Sequence, residues 1–154
     1  MPGHHETIQL LMQEIGPRTP TIDAVVQHDD GNWALQFEDG AIVLMEYGDE
    51  PERLVMSTEL GEPTQERRLE TCQLLLSYNL LWQETGGLRT ALGGPDGGAL
   101  LLFDWFSTAP QLQELQQRLQ HFCHIAAAWR GYIAHGADLD PALSATVTGL
   151  SNFA

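Results

Sequence analysis

The sequence predicts an α+β fold: a helix, a three-stranded antiparallel meander, a long helix, a two-stranded hairpin and a closing helix. Apolar residues recur every three or four positions in three segments, and in others they alternate with polar residues. Asp-Gly and Gly-rich turns separate the alternating segments. With 154 residues, the chain can bury a core without disulfides or a structural metal. We therefore expect one domain over residues 1–135 and a tail over residues 136–154, either flexible or forming one short helix.

The first half of the chain begins with a short amphipathic helix, which Gly16 and Pro17 close. Its apolar stripe consists of Ile8, Leu11, Met12 and Ile15. An alternating run with Trp33, Leu35 and Phe37 then leads through the Asp39-Gly40 pair, a typical hairpin turn, to a strand over Ala41–Tyr47. A third alternating run covers Arg53–Leu60, and Thr21–Val26 has the composition of one further short strand.

The second half alternates between helical and strand patterns. Pro63 and Thr64 mark the start of the long second helix, which Gly86 and Gly87 end. Two strands follow, Leu88–Leu92 and Ala99–Phe106, joined by a glycine-rich turn. The closing helix carries one apolar seam, made of Leu112, Leu115, Leu119, Phe122, Ala126, Trp129 and Ile133.

The long second helix has two apolar faces. One carries Leu69, Cys72, Leu76 and Leu80, and the other carries Leu74, Leu75, Tyr78, Leu81 and Trp82. A helix with two apolar faces needs two partners, and we expect these to be its own sheet and a second copy of the chain. Because interfaces favour aromatic residues, we assign the dimer contact to Leu74, Tyr78, Leu81, Trp82 and the neighbouring Leu88. The alternative is a central helix enclosed within one domain.

The chain is strongly acidic, with a formal net charge of −14 and no lysine. Thirteen acidic residues lie between Asp23 and Glu70, against three arginines. This charge disfavours nucleic acid and anionic membranes as partners. It serves solubility, or it marks a surface that faces a basic partner.

Catalytic and metal-binding patterns are weak, so we expect a protein that is not an enzyme and needs no cofactor or metal. His121, Cys123 and His124 lack a further ligand at a suitable spacing, and the acidic pairs fall in turns. The Gly93–Gly98 run lacks the lysine of a nucleotide-binding loop. Both cysteines occupy apolar helix positions, and neither a signal segment nor a membrane span is evident. A cytoplasmic protein is expected.

The stretch from Leu74 to Arg130 resembles the class I type III secretion chaperones of the Tir chaperone family. The resemblance lies in the leucine-rich helix with Asn79 before Thr85–Gly87, and in ALGGPDGGALLL over Ala91–Leu102. It continues into the closing helix through Phe122, Ala126, Trp129 and Arg130. The order of predicted helices and strands is also similar to that of the family.

The resemblance implies a cytoplasmic bacterial homodimer that binds the N-terminal region of a secreted effector without ATP and keeps it soluble and competent for export. Family members hold that region in extended form, by strand addition and by apolar side chains in grooves. In this chain the corresponding residues are Leu11, Met12, Ile15, Trp33, Leu35, Phe37, Ile42 and Leu44. Because a strand offers only one face to a partner, we expect at least half of them to be core residues.

The alternative function is that of an acidic immunity or inhibitor protein that neutralises a basic toxin. Salt dependence separates the two functions. Inhibition by carboxylates weakens steeply with ionic strength, whereas burial of apolar anchors in a groove weakens little. A small hydrolase would require a perturbed acid pair in a pocket, which the sequence gives no reason to expect.

The first testable prediction concerns the oligomeric state. We expect a homodimer at micromolar concentration, because an exposed apolar helix face is larger than soluble monomers usually tolerate. Light scattering coupled to gel filtration should give about twice the chain mass of 17.1 kDa. A mass equal to that of one chain would contradict the dimer.

Overall fold

A computed structural model describes residues 3–94 and 96–135 of the chain. In chain order the longer elements are α1 (His4–Arg18), β1 (Ile22–Asp29), β2 (Asn32–Phe37), β3 (Ile42–Asp49), β4 (Glu52–Gly61), α2 (Arg68–Tyr78), α3 (Trp82–Thr85), β5 (Arg89–Gly93), β6 (Ala99–Phe106) and α4 (Leu112–His135). The six strands form one sheet in the order β1-β2-β3-β4-β6-β5. The α+β class is confirmed, and the predicted tail over residues 136–154 lies outside the described residues.

The meander has four strands rather than three. The short segment that we noted at Thr21–Val26 extends as β1 to Asp29 and pairs antiparallel with β2, with Val25 opposite Leu35. The β5–β6 hairpin also belongs to the same sheet as the meander. Strand pairing between segments far apart in sequence leaves no local pattern, so the sequence did not predict a single sheet.

Two compact units make up the described residues. The first contains the residues up to Thr58 together with Trp105–Gln120, and the second contains Glu59–Asp104 together with the described residues from His121 onward. The single domain predicted over residues 1–135 remains a prediction.

The first unit is built on the meander and α1. The apolar stripe of α1 is buried, as its helical spacing predicted, and α1 packs against β1. The approach is close at Gly16, where an added Cβ would lie 3.0 Å from Cγ2 of Val25. The predicted Asp39-Gly40 turn joins β2 to β3: Gly40 has a φ of +89°, and the Asp39 carboxylate accepts a hydrogen bond from the Ala41 amide at 3.0 Å. Local chemistry therefore fixes this hairpin.

The second unit is built around α2, which packs against β5. Leu75 and Tyr78 on α2 are buried, and the Tyr78 ring meets Trp129 of α4 edge-on with 5.1 Å between ring centroids. Burial raises the pKa of Tyr78 above its ordinary value of 10.0. Aromatic pairs of this geometry stabilise a core beyond the area they bury.

The predicted long second helix is interrupted at Asn79. A 3₁₀ turn over Asn79–Leu81 follows α2, and the short α3 completes the segment. The Asn79 side chain accepts a hydrogen bond from the Thr90 amide at 2.7 Å and donates one to the Thr90 carbonyl oxygen at 3.1 Å. The Thr90 hydroxyl in turn donates to the Leu75 carbonyl oxygen at 2.7 Å. One amide side chain thus pairs with the backbone of β5 as a neighbouring strand would.

The second prediction tests this contact. Asn79→Ala leaves the amide and carbonyl of Thr90 without these partners, and we expect it to lower the free energy of unfolding by about 1–3 kcal/mol. Urea denaturation measures the change. Ser77→Ala, at an exposed position of the same helix, should stay within about 0.5 kcal/mol of the original chain. Equal effects of both substitutions would contradict a specific role for Asn79.

Candidate functional site

A groove of about 550 Å³ lies between α1 and β1 in the first unit. Its walls combine apolar and polar side chains. The lining residues on α1 are Gln9, Met12, Gln13, Gly16 and Pro17, and those on the sheet are Ile22, Asp23, Ala24, Val25, Gln27 and Trp33. Such a groove suits an elongated ligand with apolar side chains and hydrogen-bonding groups.

One wall of the groove is the edge strand of the sheet. β1 is first in the strand order and pairs with β2 alone among the described strands. The outward backbone groups of an edge strand are a template for pairing with another chain. The groove therefore places apolar side chains beside backbone groups that can form a ladder.

A reciprocal pair of side-chain amides links α1 to β1 along this groove. Gln9 donates to Oε1 of Gln27 at 2.9 Å, and Gln27 donates back to Oε1 of Gln9 at 3.1 Å. Both residues line the groove and both are exposed or half-buried. Because these hydrogen bonds are open to water, exchanging them for bonds to a ligand costs little.

Six of the eight residues predicted to bind an effector are buried. Leu11, Met12, Ile15, Trp33, Leu35 and Phe37 are all at most 8% exposed, because the α1 stripe and the inner sheet face form the core of this unit. Met12 and Trp33 nevertheless form part of the groove lining. Ile42 and Leu44 on β3 are about half exposed, at 48% and 50%. The structure thus divides the predicted set between core, groove and surface.

Ile42 and Leu44 belong to the outer face of the meander. The strand registers place Val26, Ala34 and Leu44 in a row across three neighbouring strands, and Ile42 shares their face. Val26 is 39% exposed, so the row reaches the edge strand β1 with an accessible apolar side chain. A strand added beside β1 would extend the sheet, and with it both this outer face and the face that lines the groove.

The two apolar faces predicted for the second helix, whose residues lie in α2, the 3₁₀ turn and α3, differ in exposure. Of the predicted dimer contacts, Tyr78, Leu81 and Leu88 are buried within the chain and Leu74 is half-buried, so only Trp82 is freely accessible. The other face exposes its leucines instead, with Leu69 at 71%, Leu76 at 69% and Leu80 at 61%. The aromatic ring of Tyr78 packs on Trp129 inside the unit, which is why the part of this face around Tyr78 turns inward.

Sequence reasoning missed the polar residues of the groove. Gln9 and Gln13 lie one helical turn apart beside the apolar stripe of α1, and this spacing is the signal that could have indicated a polar wall. Asp23 and Gln27 read as ordinary surface residues of a short strand. Nothing in their local pattern predicts that they face α1.

Among the described residues that line the groove, Asp23 is the one ionisable side chain, and no nucleophile with an adjacent base accompanies it. Within residues 3–94 and 96–135, no three His, Cys, Asp or Glu side chains come together as a metal site would require. In the same part of the chain, no helix has the length and apolar character needed to cross a membrane.

Comparison with known proteins gives a family and two similar folds. The sequence model of the Tir chaperone protein (CesT) family matches residues 11–130. The structure described as "Crystal Structure of the ExsC-ExsE Complex" matches with a TM-score of 0.70 at 16% identity, over 86% of this chain and 98% of that one. "Structure of the HopA1-SchA Chaperone-Effector Complex" matches with a TM-score of 0.65 at 16% identity, over 82% and 94%. A comparison with curated protein sequences gives no match.

Proposed function

This chain belongs to the Tir chaperone protein (CesT) family, and we propose that it binds the N-terminal region of a secreted effector in extended form. The resemblance to type III secretion chaperones seen in the sequence is thereby confirmed. In the proposed function the protein acts in the bacterial cytoplasm, keeps the effector soluble and competent for export, and uses no ATP. Binding alone has to supply the free energy for this.

The observation that carries the proposal is the groove between α1 and the edge strand β1. An extended segment beside β1 would pair its backbone with the strand and place alternate side chains in the groove, on Met12 and Trp33. Backbone pairing gives affinity that depends little on sequence, and the groove adds selectivity. One of the two similar folds is itself described as a chaperone-effector complex, which agrees with this function.

We further propose that the protein is a homodimer joined through the exposed face of α2. Leu69 and Leu76 lie seven residues apart and so share one helix face, close in sequence to the exposed Leu80. Leu92 is 56% exposed on β5, and by strand alternation it lies on the same side of that strand as Thr90, which contacts α2. Four exposed leucines on packed elements form a patch that a second copy would remove from water.

The third prediction tests the groove. Gln13 is exposed on α1 and lines the groove, so Gln13→Trp should block it without disturbing the core. We expect at least about a tenfold loss of the partner that copurifies from the native host, since a loss of about 1.4 kcal/mol suffices for that factor. Mass spectrometry identifies and quantifies the partner, and its N-terminal segment expressed alone should also copurify.

The matched control is Glu14→Trp, which puts the same ring on the next residue of α1, outside the groove lining. It should keep the partner. If Gln13→Trp also keeps it, the segment binds elsewhere. Leu11→Asp or Met12→Asp is a poorer test, because both side chains are buried and a charge there costs folding stability.

The fourth prediction separates the exposed side of α2 from the buried side of the helical segment that continues through the 3₁₀ turn. Leu76→Asp puts a charge on the exposed face and should yield a folded monomer, whereas Leu81→Asp buries a charge and should lower the unfolding free energy by about 3 kcal/mol or more. Light scattering gives the mass and circular dichroism gives the fold. Leu10→Asp, at an exposed leucine of α1, is the matched control and should leave the mass unchanged. A dimer that survives Leu76→Asp would contradict the proposed contact.

A further inference from the structure

Asp23 is the extra residue of a β-bulge at the start of β1. Ile22 lies opposite Phe37 and Ala24 lies opposite Gln36, so Asp23 has no residue opposite it on β2. A bulge re-aims the side chain of its extra residue, and Asp23 lines the groove. The carboxylate is exposed, so a ligand in the groove can reach it.

A second irregularity bounds the strand at its other end. Between Gln27, opposite Trp33, and Asp29, opposite Asn32, the register shifts again. The regular part of β1 is therefore Ala24–Gln27, and bulges end regular pairing. An incoming segment would form its ladder along these residues, which places one of its side chains beside Asp23.

The electrostatic surroundings of Asp23 favour a cation. None of the described residues that line the groove is an arginine, and the chain has no lysine that could neutralise the carboxylate. The unit that contains the groove carries twelve acidic residues against three arginines. An arginine or lysine of a bound segment would be attracted both by this field and by the carboxylate itself.

The rest of the lining requires a segment of mixed character. Met12, Ile22, Val25 and Trp33 offer apolar surface, and the amides of Gln9, Gln13 and Gln27 can bond to backbone or polar groups. A purely basic segment would leave the apolar surface uncovered. A purely apolar one would leave Asp23 desolvated without a partner, which is unfavourable.

We propose that Asp23 is a specificity residue: the groove selects an extended segment in which an arginine or lysine, pairing with Asp23, accompanies alternating apolar side chains. The inference rests on the proposed function and adds to it the charge of the recognised segment. In that arrangement the bulge directs the Asp23 carboxylate into the groove, and pairing with β1 sets the register of the bound segment.

The test is a selection from random twelve-residue peptides displayed on phage, made in parallel with the original protein and with Asp23→Arg. The original protein should enrich peptides that carry Arg or Lys among apolar residues. Asp23→Arg should enrich Asp or Glu at the corresponding position. In synthetic peptides from the first selection, exchanging the basic residue for Gln should weaken binding by about three- to fivefold, as measured by fluorescence anisotropy.

Asp30→Arg is the matched control, since it makes the same change of charge in the β1–β2 turn, outside the groove lining. It should keep the preference for basic peptides, and circular dichroism should show both variants folded.

If Asp30→Arg shifts the preference as far as Asp23→Arg does, the overall field selects the peptide and Asp23 does not. If the original protein enriches peptides with no preference for basic residues, the inference fails while segment binding stands. If it enriches no peptides, segment binding itself fails.

Discussion

The pairing of Asn79 with the backbone of Thr90 is the contact on which the proposed dimer face depends. It holds the end of α2 against β5 through two hydrogen bonds to one residue. With α2 held in this way, Leu75 and Tyr78 turn inward and Leu76 turns outward. A polar contact therefore fixes which of the two apolar faces of the helix is buried. The exposed leucines of the other face are those that a second copy could cover.

The same contact makes the two edges of the sheet unequal. At β5 the Asn79 amide occupies backbone groups that an edge strand would otherwise expose. At β1 the neighbouring element is α1, whose Gln9 exchanges two side-chain hydrogen bonds with Gln27 of β1. Edge strands invite unwanted pairing unless they are protected. Bulges limit the regular length of β1 to a few residues, which restricts that edge to short extended segments.

The features that the sequence predicted well are those set by local chemistry. The Asp39-Gly40 turn, the α1 stripe and the seam of α4 follow from one turn motif and from helical spacing, and the structure contains all three. The faces of α2 were not predictable in this way, because both carry apolar residues at the same period. The aromatic preference of interfaces pointed to Tyr78, but the ring finds its partner in Trp129, which lies about fifty residues further along the chain.

Local sequence patterns also failed to predict which residues line the groove. Apolar periodicity identified Met12 in the helix and Trp33 in the strand, but it also identified core residues such as Leu35, since burial in a core and burial under a ligand leave the same pattern. The residues that distinguish the groove are polar, and the bulge that aims Asp23 depends on pairing with β2. Only the strand register separates this aspartate from the many others on the surface.

The distribution of acidic residues bears on how a chaperone of this charge would act. In the meander, the pairs Asp29-Asp30 and Asp49-Glu50 lie where β1 and β3 end and their turns begin, and Glu38-Asp39 lies in the turn between β2 and β3. Carboxylates spread over both ends of these strands produce a broad negative field. A broad field increases the rate at which a basic segment arrives, and salt screens it over about 10 Å. The apolar contacts in the groove are not screened, so in the proposed complex they would determine how long the segment stays, with Asp23 beside them in the lining.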